Sequence, residues 1–313
     1  MTKILLQTKA MAGSMRGGEV IKVPFNILKF YKFLLSCSLF VSVLSLFFVF
    51  TKGFNKSVDF AGGYLIGVSC NEAVDISICK EKLVSEIAKS PFVSSETKTL
   101  DGLVFAQFNT RQIPSMAQAE QIKSIINTSG QFTIAKSDFL TQKFGSQLSK
   151  SGLLAVIFTL LAIFSYLFIR FSLGFAISAV ITLFHDTIVL LGFLSLCQIE
   201  LDLSIIAAIL TVIGYSVNDS VIIFDRIREN RSICGDKMSL YNELILSSFQ
   251  TLSRTTMTSL TTLFSVIAII FFAGSPVHGF GYTVLFGIVL GTYSSIFVSA
   301  PLLLFLKKFD SKL

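Results

Sequence analysis

The chain has 313 residues, 52% of them hydrophobic and only 14% charged, with a mean hydropathy of +0.74 and a net charge of +7. A soluble domain of this length needs more polar surface than that, so the composition excludes an ordinary soluble globular protein. The basic excess is spread along the chain rather than gathered on one soluble face, which excludes a nucleic-acid-binding surface.

Apolar runs of about 18 residues or more cross about 30 Å of hydrocarbon as helices. Such runs predict six spans, at residues 33–50, 152–169, 173–196, 203–224, 252–272 and 280–306. Residues 1–32 carry Lys3, Lys9, Arg16, Lys22, Lys29 and Lys32, like the start of a signal peptide. No small-residue cleavage site follows, and "FVFTKGF" continues directly, so an uncleaved anchor is expected. Orientation follows from Lys and Arg in short loops. The N-terminal segment, Arg170, the stretch from Arg226 to Lys237 and the tail 307–313 are basic. They alternate with "CQIELD" and "AGSPVHG", which carry no basic residue. Both termini are therefore expected in the cytoplasm, and residues 51–151 outside it.

The outer segment reads in chain order as strand, helix, strand, strand, helix, strand. "SVDFAGGYLIGVSC" is β-rich and punctuated by glycine. "DISICKEKLVSEIAKS" places Ile76, Cys79, Leu83 and Ile87 on one helical stripe. "FVSSETKTL" and "LVFAQFN" flank Asp101-Gly102, a two-residue hairpin signal. "SMAQAEQIKSIINTSG" is a second amphipathic helix that ends at Gly130, and "QFTIAKSDF" closes the set. This order predicts a ferredoxin-like α+β sandwich. It holds no evident nucleophile or phosphate loop and reads as a packing or docking module. Cys70 and Cys79 share the domain, where a disulfide is permitted but not determined. Cys37, Cys197 and Cys234 read as apolar fillers or free thiols. No pattern of metal ligands occurs, so no metal or other cofactor is expected.

Ionisable groups at membrane depth are costly, about 2.5–3.5 kcal/mol each on insertion scales, and need a partner or water. Three stand out: Asp186 beside His185, Asp219 and Arg254. Asp219 precedes Asp225 closely enough to lie about 9 Å inside the boundary. Arg254 begins the next, antiparallel span at similar depth, so the two are expected to neutralise each other until Asp219 is protonated. Arg254, Thr258, Thr261, Thr262 and Ser265 fall on one helical face. Thr211, Tyr215, Asn218 and Asp219 share a face of the preceding helix. Gly174, Ser178, Thr182 and Asp186 recur every four residues, as do Gly287, Gly291, Ser295 and Ser299. Such rows permit close helix approach. Neighbours on a helix point about 100° apart, so His185 is not expected to face Asp186. "FDRIREN" reads as a topology anchor. "MSLYNELILSSFQ" reads as an interfacial helix with Leu240, Leu244 and Ile245 down, and Asn242, Glu243 and Ser247 towards water.

The motifs "VDFAGG" after the first span, "HD" in the third, "VIGYSVNDSVIIFDRIREN" in the fourth and "TLSRTTMTSLTT" opening the fifth resemble the SecD/SecF family of protein-export membrane proteins, within the RND superfamily. The resemblance covers nearly the whole chain. It implies a multi-pass protein of the bacterial inner membrane that pairs with SecD as an obligate heteromer. It also implies partners in SecYEG, the auxiliary components YajC and YidC, and the unfolded polypeptide in transit. It implies H⁺ as the coupling ion, with Na⁺ as the alternative. Asp219 matches the family's proton-responsive aspartate and Arg254 its partner; Asn218, His185, Asp186 and Thr258 are secondary polar candidates. Asp59, Phe60, Gly62 and Gly63 form a structural turn into the outer domain. The resulting expectation is a non-enzymatic auxiliary subunit of the Sec translocase, driven by the proton-motive force. The alternatives are an intramembrane aspartyl protease using Asp186 and Asp219, against which "GYSVND" lacks the expected motif, and half of a small-molecule RND exporter.

Overall fold

The computed structural model describes residues 26–70, 76–88, 96–100, 103–109, 115–234, 240–273 and 277–306. The N-terminal residues 1–25, the Asp101-Gly102 turn and the tail lie outside the described residues. The long helices are α1 (Asn26–Lys52), α5 (Gln142–Arg170), α6 (Leu173–Cys197), α7 (Leu203–Cys234) and α8 (Leu240–Phe272). The last span is α9 (His278–Ser294), which runs through a π turn (Ser295–Ser299) into α10 (Ala300–Leu306). All six spans are long and apolar enough to cross a membrane. The protein is therefore an α-helical, multi-pass membrane protein with one small α/β domain between its first and second spans.

That domain contains a short helical turn α2 (Val58–Ala61), then β1 (Gly63–Cys70), α3 (Ile76–Ala88), β2 (Glu96–Leu100), β3 (Leu103–Asn109), α4 (Met116–Thr128) and β4 (Phe132–Leu140). The sheet order is β2-β3-β1-β4 with every neighbouring pair antiparallel, the ferredoxin-like arrangement. β2 and β3 pair antiparallel up to Leu100 and Leu103, the residues that flank the expected turn. Alternate residues of the two central strands (Tyr64, Ile66 and Val68; Val104, Ala106 and Phe108) point to one side. There they meet the stripe of α3 (Cys79, Leu83, Ile87) and that of α4 (Ala119, Ile122, Ile126). Each fully buried large side chain contributes roughly 1.5–3 kcal/mol. Cys79 sits at the edge of this core and is bridged to Cys70, with Cα atoms 6.0 Å apart. Gly130 adopts φ 63° after α4, as expected of a terminating glycine.

In the bundle, α6 is central and packs against α1, α5, α7 and α9. Its buried row Gly174, Ser178, Thr182 and Asp186 lies along one face. By contrast α1, α5 and α8 leave large apolar side chains open, among them Phe40, Phe50, Phe158, Ile169, Phe264 and Phe272. Those surfaces suit hydrocarbon.

The "DFAGG" turn joins the two parts. Ser57 caps α2 by accepting from Asp59 N–H, and Gly62 (φ 72°) and Gly63 (φ 145°) then turn the chain into β1. A Cβ on Gly145 of α5 would lie 2.8 Å from the Phe60 carbonyl oxygen and 3.0 Å from that of Asp59, so the helix backbone rests on the turn. Beside it, Ser57 N–H donates to Leu201 O at 2.9 Å, and Leu201 N–H donates to Asn55 O at 2.7 Å.

One expected element is different. The stretch 240–250 is not an interfacial helix but the opening of α8, continuous with the fifth span. Glu243 (2% exposed) and Ser247 (0%) are buried rather than wet. The far end of α7 explains this. Asn230 donates to Ser247 Oγ (2.8 Å) and to Gln250 Oε1 (2.9 Å), and Arg226 Nε donates to the same Oε1 at 2.6 Å. The "FDRIREN" arginines also do more than anchor. Arg170 of α5 pairs with Asp225 at 3.2 Å, and Arg228 donates to the Arg170 carbonyl at 3.1 Å.

Candidate functional site

Two buried carboxylates define the polar interior, and they are held in opposite ways. Asp219 on α7 is 0% exposed. Neither of its carboxylate oxygens has a hydrogen-bond partner. Ser216, one turn before it, and the adjacent Ser220 are buried with it, whereas Thr211 and Asn218 are exposed. The expected shared face of Thr211, Tyr215, Asn218 and Asp219 is therefore split, because Asp219 lies on the inner edge of that stripe and Asn218 on the outer.

Helix register identifies what opposes Asp219. On antiparallel α8, Tyr215 Oη donates to Ser259 Oγ at 3.2 Å, and Ser259 meets Thr292 of α9 at 2.7 Å. One turn further, Asp219 falls level with Thr255, which is 0% exposed and whose Oγ1 is likewise without a hydrogen-bond partner. On parallel α9, Gly287 abuts Val212 and Gly291 abuts Ser216. Continuing that register sets Asp219 and Ser220 beside Ser294 and Ser295, where the π turn begins. A π turn interrupts the helix backbone ladder and often marks a functional site. Ser178 of α6 donates to the Ser299 carbonyl within it at 2.7 Å.

Arg254 does not form the expected contact ion pair with Asp219. Its side chain is on the exposed side of α8, and its charge acts on Asp219 only across a longer distance. The depth was as expected and the azimuth was not, since Arg254 is one residue, about 100°, from Thr255. The rest of its row is similarly placed: Thr261 and Ser265 are exposed, and Thr258 and Thr262 are partly so. Their hydroxyls return to carbonyls of their own helix.

Asp186 on α6 is 2% exposed and fully engaged. Its Oδ2 accepts from Ser216 Oγ of α7 (2.8 Å) and Ser294 Oγ of α9 (2.6 Å). Its Oδ1 is 2.9 Å from His185 Nδ1, and His185 Nε2 is bonded to Ser38 Oγ of α1. The expectation that His185 would not face Asp186 is thus overturned. Nδ1 lies near the ring's attachment to its own backbone, and anchoring of Nε2 by Ser38 turns that edge onto the adjacent carboxylate. Ser38, Ser216 and Ser294 were not singled out from the sequence. Ser216, three residues before Asp219, carried a signal in its spacing, whereas Ser38 carried none.

The arrangement does not support an aspartyl dyad. Asp186 is saturated by a histidine and two serines, and Asp219 shares no hydrogen bond with it. The structural turn formed by Asp59, Phe60, Gly62 and Gly63 is as expected, with one addition. Asp59 Oδ2 accepts from Leu203 N–H, at 3.4 Å, where α7 begins.

The family model "Protein export membrane protein SecD/SecF, C-terminal" matches residues 120–309, and that for the "SecD/SecF GG Motif" matches residues 47–74. The chain is 38% identical over 299 residues to "Protein translocase subunit SecF" of Rickettsia felis, covering 93% of this chain and 95% of that one. It is also 38% identical to the protein of the same name from Rickettsia prowazekii, covering 93% and 94%. Among solved structures, the crystal structure of SecDF from Thermus thermophilus, a translocon-associated membrane protein, superposes with a TM-score of 0.76 at 30% identity. The match covers 94% of this chain but 41% of that one. A SecDF structure in a super-membrane-facing form gives 0.67 at 29% identity, covering 94% and 40%. The chain thus spans about two fifths of the SecDF chains and nearly all of the SecF chains. With the glycine turn, six spans and buried acids in place, the chain belongs to the SecD/SecF family of protein-export membrane proteins, as a SecF-type member.

Proposed function

We propose that the protein is the SecF-type half of a two-part motor that uses an ion gradient, H⁺ or else Na⁺, to assist protein export through the Sec channel. The observation that carries this reading is Asp219, fully enclosed and with neither carboxylate oxygen hydrogen-bonded. An uncompensated ion in such a place costs several kcal/mol. The stability of the packing around it therefore depends on whether a proton, a cation or Arg254 is on it. A bundle whose energy changes with the occupancy of one acid converts an ion gradient into helix movement.

The open polar stripe supports a partner. Thr211, Gly214 and Asn218 on α7, with Arg254, Thr261 and Ser265 on α8, are exposed at membrane depth. Arginine there is too costly to face lipid, so a second helical half covers it. A SecD chain fits, because the solved relatives carry both parts in one polypeptide. On this reading Arg254 sits at the seam between halves, within reach of Asp219 after a modest rotation. The basic-loop pattern favours cytoplasmic termini in a bacterial inner membrane, with the α/β domain outside. SecYEG, YajC, YidC and the moving polypeptide are the partners expected of such a subunit.

The test is Asp219→Asn in vesicles containing this chain, SecD and the Sec channel. The variant should assemble with SecD but lose ion-driven stimulation of export. Normal stimulation in an assembled variant overturns the reading. Exchanging the pair, Asp219→Arg with Arg254→Asp, should stay inactive if the acid must bind an ion; restored activity would mark a static pair.

A further inference from the structure

The mechanism above uses Asp219 and leaves the second acid idle. Yet the Asp186 carboxylate makes three side-chain hydrogen bonds, tying α6 to α7, α9 and, through His185, α1. Ser216 and Ser294 bring hydroxyl protons to Oδ2, an arrangement that suits a carboxylate. The proton between Asp186 and His185 then sits on Nδ1, which leaves Nε2 to accept from Ser38 in the neutral ring. We propose that Ser38, His185 and Asp186 form a second proton-holding site, in series with Asp219 through Ser216. The proposal rests on the proton-coupled reading of Asp219, but its spectroscopic test does not.

Charge balance favours such a site. A proton added at Nε2 makes an imidazolium whose counter-ion, Asp186, already lies 2.9 Å away, so no unpaired charge is buried. The proton also changes a contact. Nε2–H must now donate to Ser38 Oγ, and the Ser38 hydroxyl must turn elsewhere. The carbonyl one turn back on its own helix is that of Leu34, which already accepts from Tyr293 Oη of α9 at 3.1 Å. One proton therefore rearranges hydrogen bonds among α1, α6 and α9.

On the packed elements, the titratable groups away from the helix ends are Cys37 on α1, Tyr293 and Tyr282 on α9, and Asp219 and Tyr215 on α7. Towards the ends stand Lys29, Tyr31, Lys32 and Lys52 on α1, Cys197 on α6, His278 on α9, and Asp225, Arg226, Arg228, Glu229, Arg231 and Cys234 on α7. Helix α5 carries Tyr166 and, at or towards its ends, Lys143, Lys150 and Arg170. The π turn and α10 have none. Asp219 is one turn from Ser216 along α7, a gap of about 5–6 Å that one water spans. His185 lies midway along α6, about 18 Å from either end. The Ser–His–Asp order is that of hydrolases, but Ser38 is 4% exposed and packed between helices, so it relays a proton rather than attacking a substrate.

The chain has two histidines. His278→Gln therefore leaves one imidazole to follow in the full-length, ¹⁵N-histidine-labelled chain in lipid vesicles. The expected spectrum shows the Nδ1–H tautomer when neutral and the imidazolium signature when the vesicles are acidified. Adding Asp219→Asn should change the imidazolium-to-neutral ratio at a fixed acidic pH by about threefold or more. The opposite tautomer, no imidazolium on acidification, or a ratio indifferent to Asp219→Asn overturns the proposal.

In export vesicles, His185→Gln should lower ion-driven stimulation about tenfold. Ser38→Ala, which keeps the Cβ and the helix, should lower it about threefold and shift its pH profile. If both export normally while Asp219→Asn does not, the second site is refuted and the first reading stands. If Asp219→Asn also exports normally, both fall.

Discussion

A methyl group on Gly287 tests whether close helix packing holds the polar interior in register. An added Cβ would overlap Val212 Cγ2 of α7, lie 2.6 Å from Cγ1 and lie 3.0 Å from Cβ. Carbon atoms in contact sit about 3.5–4 Å apart, so Gly287→Ala requires about 1 Å of give. Valine in a helix holds one rotamer, so the helices must move instead. Overpacking of this kind costs about 1–3 kcal/mol, roughly 5- to 150-fold in the folding equilibrium. Val212→Ala removes both Cγ atoms and leaves only the contact at 3.0 Å, so the double variant should recover most of the loss.

Gly192→Ala with Ser45→Gly is the contrast. There the Ser45 Cα itself lies 2.6 Å from the new methyl, and trimming the side chain cannot relieve it. Unfolding of the full chain in mixed micelles, as double-mutant cycles, should give a coupling of about 1 kcal/mol or more for 287 with 212. The 192 and 45 pair should be additive to within about 0.5 kcal/mol. Because the α7–α9 register also sets Ser294 beside Asp219, Gly287→Ala should, on the proposed reading, lower ion-driven export as well. Wild-type stability in Gly287→Ala, or no coupling to Val212, refutes the packing argument.

Three further outcomes are expected. Gln250→Ala removes the acceptor shared by Asn230 and Arg226 and should cost about 1–3 kcal/mol in the same unfolding assay, with Gln250→Glu milder. Opening the Cys70–Cys79 bridge with reductant, or replacing both by serine, should destabilise the α/β domain by about 2–3 kcal/mol. Its melting by circular dichroism or its protease sensitivity would report the change. Tyr64 lies in the domain core, where burial pushes its phenol above the ordinary tyrosine range, partly offset by its bond to Ser137. Its contribution to stability is therefore full below about pH 10 and lost as pH rises through the folded value, and Tyr64→Phe should remove that alkaline loss.

The spans, the sheet order and the glycine turn were legible because they depend on local signals: apolar run length, period-two alternation, and Gly62 with Gly63. The depth of Asp219 and Arg254 was legible too, since counting residues from a helix end measures height. Azimuth was not. The residue level with Asp219 on α8 is Thr255, and its neighbour Arg254 points outwards. The opening of α8 was misread for a related reason. A stripe of Leu240, Leu244 and Ile245 fixes one face and says nothing about what covers the other, which here is Asn230 of α7. The Asp186 hub draws on residues 38, 185, 216 and 294, whose sequence separations leave no periodic trace.

On the ion-coupled reading proposed above, the same geometry links an event at Asp219 to the α/β domain. Asp219 lies about 24 Å along α7 from Leu203, where the helix starts. That start is fixed on two sides. Asp202 caps it by accepting from Ile205 N–H at 2.8 Å, and Asp59 of the glycine turn accepts from Leu203 N–H. Leu201 is paired with Asn55 and Ser57 on the strand-like run out of α1, and Gly145 presses α5 onto the turn's carbonyls. A helix is stiff along its axis, so any axial shift of α7 must carry this turn with it or break its hydrogen bonds. The two conserving outcomes, turn and helix together in either position, are the pair of states an ion can bias. The glycines allow the turn its shape, but the main-chain bonds to Leu201 and Leu203 are what tie the domain to the helix that carries the acid.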